Sequence, residues 1–144
     1  MENFVNRLIY LNNEKPLPPT DFECLTGLKF STFKNYEKGL CYPKLVNFIK
    51  LAEFYNVSVD YLAGISGERN CFRESKIEDM PTRIIELRRK SGLSQSAIAK
   101  QLGITKSGYK YYEMGKNVPP LNRLIDLANI FHVTLEYLIG GHEM

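Results

Sequence analysis

The chain is 144 residues long, enough for one ordinary domain or two very small ones and too short for a large multidomain enzyme. Hydrophobic residues make up 44% and charged residues 24%, close to globular averages, which excludes wholesale disorder and fibrous repeats. Lys and Arg number 19 against 16 Asp and Glu, a net charge of +3, so the total says little about partners and its distribution has to be read instead.

No segment approaches the roughly 18 unbroken apolar residues of a membrane span, and the start, Met1-Glu2-Asn3-Phe4, lacks the basic-then-apolar run of a secretory signal. A cytoplasmic chain without membrane contact is expected. Cys24, Cys41 and Cys71 form no CxxC pair, and with His132 and His142 they offer no zinc spacing. Neither a metal nor a cofactor is expected, and the thiols read as reduced.

Sliding the sequence by 76 positions aligns 4–64 with 80–140 without a gap, and 19 of the 61 pairs are identical. Arg7 and Arg83, Gly27 and Gly103, Glu37 and Glu113, Pro43 and Pro119, and Tyr61 and Tyr137 are among them. Two copies are too few for a solenoid, which needs at least about three repeats. Each copy is therefore expected to fold by itself: residues 1–65 as a degenerate copy, 66–79 as a linker with Ser66, Gly67, Asn70 and Ser75 among alternating charges, and 80–144 as the better-kept copy.

In chain order, the first copy opens its second helix from Pro16-Leu17-Pro18-Pro19, which permits a helix start but removes backbone donors. In the second copy Ile84, Leu87 and Arg88 follow helical spacing up to Gly92. Ser94 caps a second helix carrying Ile98, Ala99 and Leu102, and Gly103 stops it. Thr105 caps a third helix with Tyr109 and Tyr112 three apart, closed by Gly115. After Val118-Pro119-Pro120, a fourth amphipathic helix carries Leu121, Leu124, Ile125, Ala128 and Phe131, and Thr134 caps a short last helix with Glu136 in its first turn.

The fold class is thus all-α, five helices per copy, with two short helices flanking a glycine turn at positions two and three. The run Gly-Leu-Ser-Gln at 92–95, Ile98-Ala99, Leu-Gly-Ile-Thr-Lys-Ser at 102–107, Tyr-Tyr-Glu-Met-Gly-Lys at 111–116 and Val-Thr-Leu-Glu-Tyr-Leu at 133–138 resembles the Cro and phage-repressor type of helix-turn-helix protein, the XRE family. The resemblance covers the whole second copy and, more weakly, the first. It implies two tandem lambda-repressor-like domains and a sequence-specific regulator of transcription, expected to be a repressor, which reads the major groove of double-stranded DNA with the third helix of each copy, the second copy the stronger.

On a helical wheel Thr105, Tyr112 and Glu113 fall with Tyr109 on one arc of the third helix, and Ser107, Lys110, Tyr111 and Met114 on the other. The free arc has the donors to reach base edges. Lys106, at the helix start, joins Ser107, Lys110 and Tyr111 as expected base contacts, and the resemblance assigns Gln95, Lys116 and Asn117 to phosphate. It also implies an architectural ion pair between Arg88 and Glu113. Any short amphipathic helix has a polar outer face; the intact register of all five helices is what favours base contact here.

Residues 80–140 hold nine Lys or Arg against four Asp or Glu, net +5, whereas 4–64 hold seven against six, net +1. The second copy carries the electrostatic footprint. In the first, Glu23 stands where the second has Ala99, Asn12 where it has Arg88, and Phe30 where it has Lys106. Ser31, Lys34, Asn35 and Lys38 still line its third helix as weaker DNA contacts, with Asn35 suited to adenine. Two partner readings follow besides DNA: a homodimer, as such proteins pair on palindromic sites, and a protein-binding role for the first copy, antitoxin-like or a phage-encoded inhibitor, with the second copy controlling its own promoter. No Ser-His-Asp set, phosphate-cradling glycine loop or paired carboxylate motif points to an enzyme.

Overall fold

The computed structural model describes residues 2–74 and 76–140; Met1, Ser75 and 141–144, including His142, lie outside the described residues. Among the described residues there are ten α-helices and no strand. The chain divides into two compact units, Met1–Arg73 and Glu74–Met144.

The N-terminal unit contains α1 (Glu2–Glu14), α2 (Pro19–Thr26), α3 (Phe30–Glu37), α4 (Leu45–Tyr55) and α5 (Val59–Ala63). Pro19 begins α2 at a position where the missing N–H costs nothing, with Pro18 before it in an extended conformation. The core gathers Phe4, Leu8 and Leu11 from α1, Phe22, Phe33, Phe48, Leu51 and Leu62, all buried. It is aromatic at its centre: the Phe22 ring lies 4.5 Å from Phe33, 5.8 Å from Phe30 and 5.9 Å from Phe54. Rings in such tilted and edge-on contacts attract one another beyond what area burial alone supplies.

The C-terminal unit starts with a 3₁₀ turn, Ile77–Asp79, and continues with α6 (Met80–Ser91), α7 (Gln95–Leu102), α8 (Lys106–Glu113), α9 (Leu121–Phe131) and α10 (Leu135–Gly140). Its core is mainly aliphatic: Met80, Ile84, Ile98, Leu121, Leu124, Leu127, Leu135 and Leu138 are buried, and Tyr109 adds a fully buried ring. The bounds of α7, α8 and α9 are those of α2, α3 and α4 displaced by 76 residues. Both α4 and α9 end in a left-handed residue that is not glycine, Asn56 at φ 52° and His132 at φ 55°.

The segment read as linker divides between the units. Its first half is fastened to the N-terminal unit: the Ser58 N–H donates to the Asn70 carbonyl at 2.8 Å, the Phe72 N–H to Asn56 Oδ1 at 3.1 Å, and Arg69 meets Glu14 at 2.6 Å. Its last residues form the 3₁₀ turn of the C-terminal unit. Composition shows the polar character of this stretch but not these partners, which are all distant in sequence. Among the described residues no helix is long and apolar enough to cross a membrane.

Candidate nucleic-acid interface

Local chemistry fixes the α7–turn–α8 element. Ser94 caps α7 through a bond from the Ala97 N–H to its hydroxyl at 3.1 Å, and Thr105 caps α8 in the same way from Gly108 at 3.0 Å. Between them Gly103, at φ 72°, takes the left-handed conformation that ends α7, and the Ile104 N–H returns to the Ala99 carbonyl at 3.0 Å. Two helices eight residues long are thereby joined through a short turn that is capped on both sides. Arg123 of α9 locks the corner further by donating to the Leu102 carbonyl.

The inner arc of α8 is anchored by Tyr109 and Glu113, both buried, with Tyr112 half-buried. The outer arc is open. Lys106, Ser107, Lys110, Tyr111 and Met114 are all exposed, and Lys116 and Asn117 are exposed in the loop that follows. That loop is pinned to the helix, because the Lys116 and Asn117 N–H groups both donate to the Tyr111 carbonyl, at 3.0 and 3.4 Å. The Lys116 ammonium lies 5.4 Å from the centre of the Tyr111 ring, a distance at which the ring face attracts a cation. Six of the seven residues expected to touch DNA are therefore exposed on α8 or on the loop bonded to it.

Gln95 is the seventh, and it is half-buried. Its side-chain amide donates to Glu113 Oε1 at 2.9 Å, so it faces α8 rather than pointing outward. The same carboxylate receives Arg88 Nε at 2.6 Å and the second guanidinium arm at 3.3 Å, and Arg88 also donates to the Leu93 carbonyl at 3.3 Å. Helices α6, α7 and α8 meet on this one carboxylate. Burial alone would raise the Glu113 pKa, but hydrogen bonds from Arg88 and Gln95 and the Arg88 charge hold it below the ordinary glutamate range. The Arg88 guanidinium is correspondingly held more firmly protonated, chiefly by its bond to Glu113. Tyr109 shows the converse: burial, then the nearby Glu113 charge, push its hydroxyl pKa up, and among the described residues that hydroxyl finds no partner in hydrogen-bonding geometry.

Motif reading gives Arg83 no role beyond its place in the repeat. It is 9% exposed and donates to the carbonyls of Leu138 at 3.0 Å, Lys76 at 2.8 Å and Ile139, tying the start of α6 to the end of α10. Burial lowers its pKa. The repeat holds the signal, since Arg7 is its counterpart; Arg7 reaches the Tyr61 carbonyl at 3.5 Å and lies 4.2 Å from the Tyr61 ring.

The corresponding face of the N-terminal unit is built differently. Ser31, Lys34, Asn35 and Lys38 are exposed along α3. Lys29 precedes the helix without a side-chain cap, and Glu23, exposed on α2, instead accepts the Phe30 N–H at 3.0 Å. Glu23 does not crowd the approach of the two helices, because its side chain turns outward onto the end of α3. Phe30 is half-buried against Phe22 and Phe33. Glu37, with Asn12 in place of an arginine on α1, pairs instead with Lys34 at 3.0 Å.

A helix-turn-helix family model matches residues 84–138. The chain is 36% identical over 58 residues to the uncharacterised HTH-type transcriptional regulator YobD of Bacillus subtilis, covering 40% of this chain and 52% of that protein. It is 43% identical over 61 residues to the HTH-type transcriptional regulator AnsR of the same organism, covering 42% and 53%. An uncharacterised HTH-type transcriptional regulator of Archaeoglobus fulgidus is 36% identical over 59 residues, 41% of this chain and 84% of that protein. The chain spans about half the length of the first of these relatives. No solved structure matches it.

Proposed function

The chain belongs to the helix-turn-helix family of HTH-type transcriptional regulators, and from that premise we propose that it binds duplex DNA sequence-specifically, with α8 of the C-terminal unit in the major groove. The observation that carries the reading is the outer face of α8: Lys106, Ser107, Lys110 and Tyr111 stand exposed on a helix whose other arc is anchored by Tyr109 and Glu113. Lysine donates to guanine acceptors, serine pairs with several bases, and tyrosine offers a hydroxyl and an apolar ring. Lys116 and Asn117, exposed in the loop bonded to the Tyr111 carbonyl, support phosphate contact through their side-chain donors. Gln95 contributes through its position at the start of α7, its amide holding the helix rather than the ligand.

The net charge of +5 over 80–140 supports the reading, because phosphate neutralisation dominates non-specific affinity. Repression follows most simply, since a domain seated over a promoter blocks it by occupancy alone, and the site of action would be the cytoplasm or nucleoid. The proposed domain division places the reading domain at 80–144 and a degenerate one at 1–65. Pairing of two chains on a palindromic site belongs to the same proposal.

The test is footprinting on duplexes selected from a random pool, comparing the full chain with its Lys106→Ala/Ser107→Ala/Tyr111→Ala variant. Specific protection should fall at least about tenfold, or 1.4 kcal/mol, with helical content unchanged. An unaltered footprint would reject the assignment of α8. A hold on a protein partner by the N-terminal unit is a second reading, favoured by one contrast: Leu25, Leu40 and Val46 are exposed there, where the repeat places Gln101, Lys116 and Asn122 in the other unit. Replacing those three by the polar residues should leave DNA affinity intact while abolishing co-purification of the partner.

A further inference from the structure

Taking α8 as the groove-reading helix, as proposed above, we infer that α3, its counterpart in the N-terminal unit, is closed to DNA by the chain's own side chains, so that each chain commits a single reading helix to the duplex. Three features of the structure converge on this.

The first is the start of the helix. A helix N-terminus attracts anions through its N–H groups and the positive end of its dipole. In α8 that end is capped by the neutral Thr105 hydroxyl and followed by the exposed Lys106. In α3 the anion is already there: the Glu23 carboxylate accepts the Phe30 N–H at 3.0 Å. An incoming phosphate would meet the Glu23 carboxylate on the helix end itself, beside the exposed Lys29, where α8 presents the Thr105 hydroxyl and Lys106.

The second is the loss of donors at the positions that carry them on and beside α8, although Lys29 and Lys38 stand where the other copy has Thr105 and Met114. At the repeat offset Gln95, Lys106, Lys116 and Asn117 become Pro19, Phe30, Leu40 and Cys41. Pro19 lacks even a backbone N–H. Phe30 does not substitute for the lysine as a groove contact, since its ring is 5.8 Å from Phe22 and 6.1 Å from Phe33 and is half-buried there.

The third is the local charge. On α8 the acidic residue is turned inward and held by Arg88, leaving Lys106, Lys110 and Lys116 to set the sign of the outer face. On α3 the identical residue, Glu37, lacks the arginine and takes Lys34 instead, at 3.0 Å, while the same ammonium lies 5.1 Å from the Phe30 ring. With Lys29, exposed just before the helix, three lysines at 29, 34 and 38 stand against Glu23 and Glu37, so the α3 face keeps a net +1 where Lys106, Lys110 and Lys116 give the α8 face +3. One chain therefore offers α8 and not α3 to a duplex, and a second half-site would need α8 of a second chain.

The full-length chain and a duplex recovered from a random pool decide the matter. A variant carrying Ser31→Ala, Lys34→Ala, Asn35→Ala and Lys38→Ala should bind within about twofold of the parent and keep its salt dependence, since removing a lysine that neutralises a phosphate would lower the slope of log K against log salt by about 0.9. Hydrogen exchange on adding duplex should slow in 105–117 and not in 29–41. A drop of about tenfold or more in the four-fold variant, a shallower slope, or protection across 29–41 would overturn the inference while leaving the reading of α8 standing. If instead the parent selects no duplex, or the Lys106→Ala/Ser107→Ala/Tyr111→Ala variant binds as well as the parent, the reading of α8 itself fails and this inference goes with it.

Discussion

Replacing Glu113 by Ala tests whether three helices depend on one carboxylate. Its side chain is 5% exposed and Arg88's is 18%. The substitution leaves the guanidinium with the Leu93 carbonyl at 3.3 Å in place of a carboxylate, and it removes the acceptor of the Gln95 amide. Breaking a fully buried pair from one side costs about 3–5 kcal/mol. Arg88 keeps a solvent-facing edge, so water recovers part of that, and a loss of about 2–3 kcal/mol is expected. A unit of some seventy residues has roughly 4–10 kcal/mol in total, so the variant should be near the limit of folding.

The assay is urea unfolding of the full chain followed by peptide-resolved hydrogen exchange, with the N-terminal unit as internal reference. Arg88→Met combined with Glu113→Leu should be much milder than the sum of the single changes, because an apolar pair of similar volume often replaces a buried ion pair at little cost. The pH profile supplies a second readout. A folded-state pKa below the ordinary glutamate value means that the stabilisation is fully present above the unfolded value and disappears as pH falls through the folded one. Glu113→Gln should flatten that acid-side slope. A loss below about 1 kcal/mol for Glu113→Ala, or additive single changes, would refute the claim that this carboxylate joins α6, α7 and α8.

Three further outcomes follow from named contacts. Arg83→Met should destabilise the C-terminal unit by about 2–4 kcal/mol, by leaving the Leu138, Ile139 and Lys76 carbonyls without their donor; thermal unfolding of that unit, read by exchange, checks it. Gly64→Ala should be far worse than Gly103→Ala: both have positive φ, at 82° and 72°, but a Cβ at 64 would lie 2.4 Å from Asn3 Cβ and 2.9 Å from its backbone carbon, whereas at 103 it meets nothing within 4 Å. Gly103→Ala should cost about 1 kcal/mol, and comparable urea midpoints for the two variants would contradict the geometry. Thr105→Ala should remove about 1 kcal/mol through loss of the cap on Gly108, seen as faster exchange confined to the first turn of α8.

The elements of the C-terminal unit are legible in the sequence because their signals are local. Ser94, Thr105 and Thr134 each cap the helix that the sequence assigns to them, and Gly92 and Gly103 stop helices where apolar periodicity runs out. The outer arc of α8 is equally readable, since one helix carries all of it. Contacts that require two helices to meet are not. The Glu23 carboxylate is seven residues from the N–H it takes, and sequence shows only an oversized residue at the Ala99 position. The inward turn of Gln95 depends on Glu113, eighteen residues away, and the carbonyl partners of Arg83 on α10 lie more than fifty residues away. His132, which ends α9 in a left-handed conformation without glycine, gives no stop signal to periodicity at all.

Glu37 and Glu113 occupy the same place in the repeat, and their different fates show how a site can be remade without altering the residue itself. What differs is the residue on the first helix of each unit, Asn12 or Arg88. With arginine present, the carboxylate is drawn inward, also receives Gln95, and is removed from the electrostatics of the outer face. With asparagine, which carries no charge to offer, the carboxylate stays 14% exposed and is satisfied by a lysine of its own helix, one that would otherwise face a ligand. Phenylalanine packing then takes over the task of holding α3, through Phe22, Phe30 and Phe33. Introducing Asn12→Arg into the N-terminal unit should therefore release Lys34 from Glu37, but the Glu23 carboxylate would remain on the helix end; restoring DNA affinity to α3 should require both positions to change.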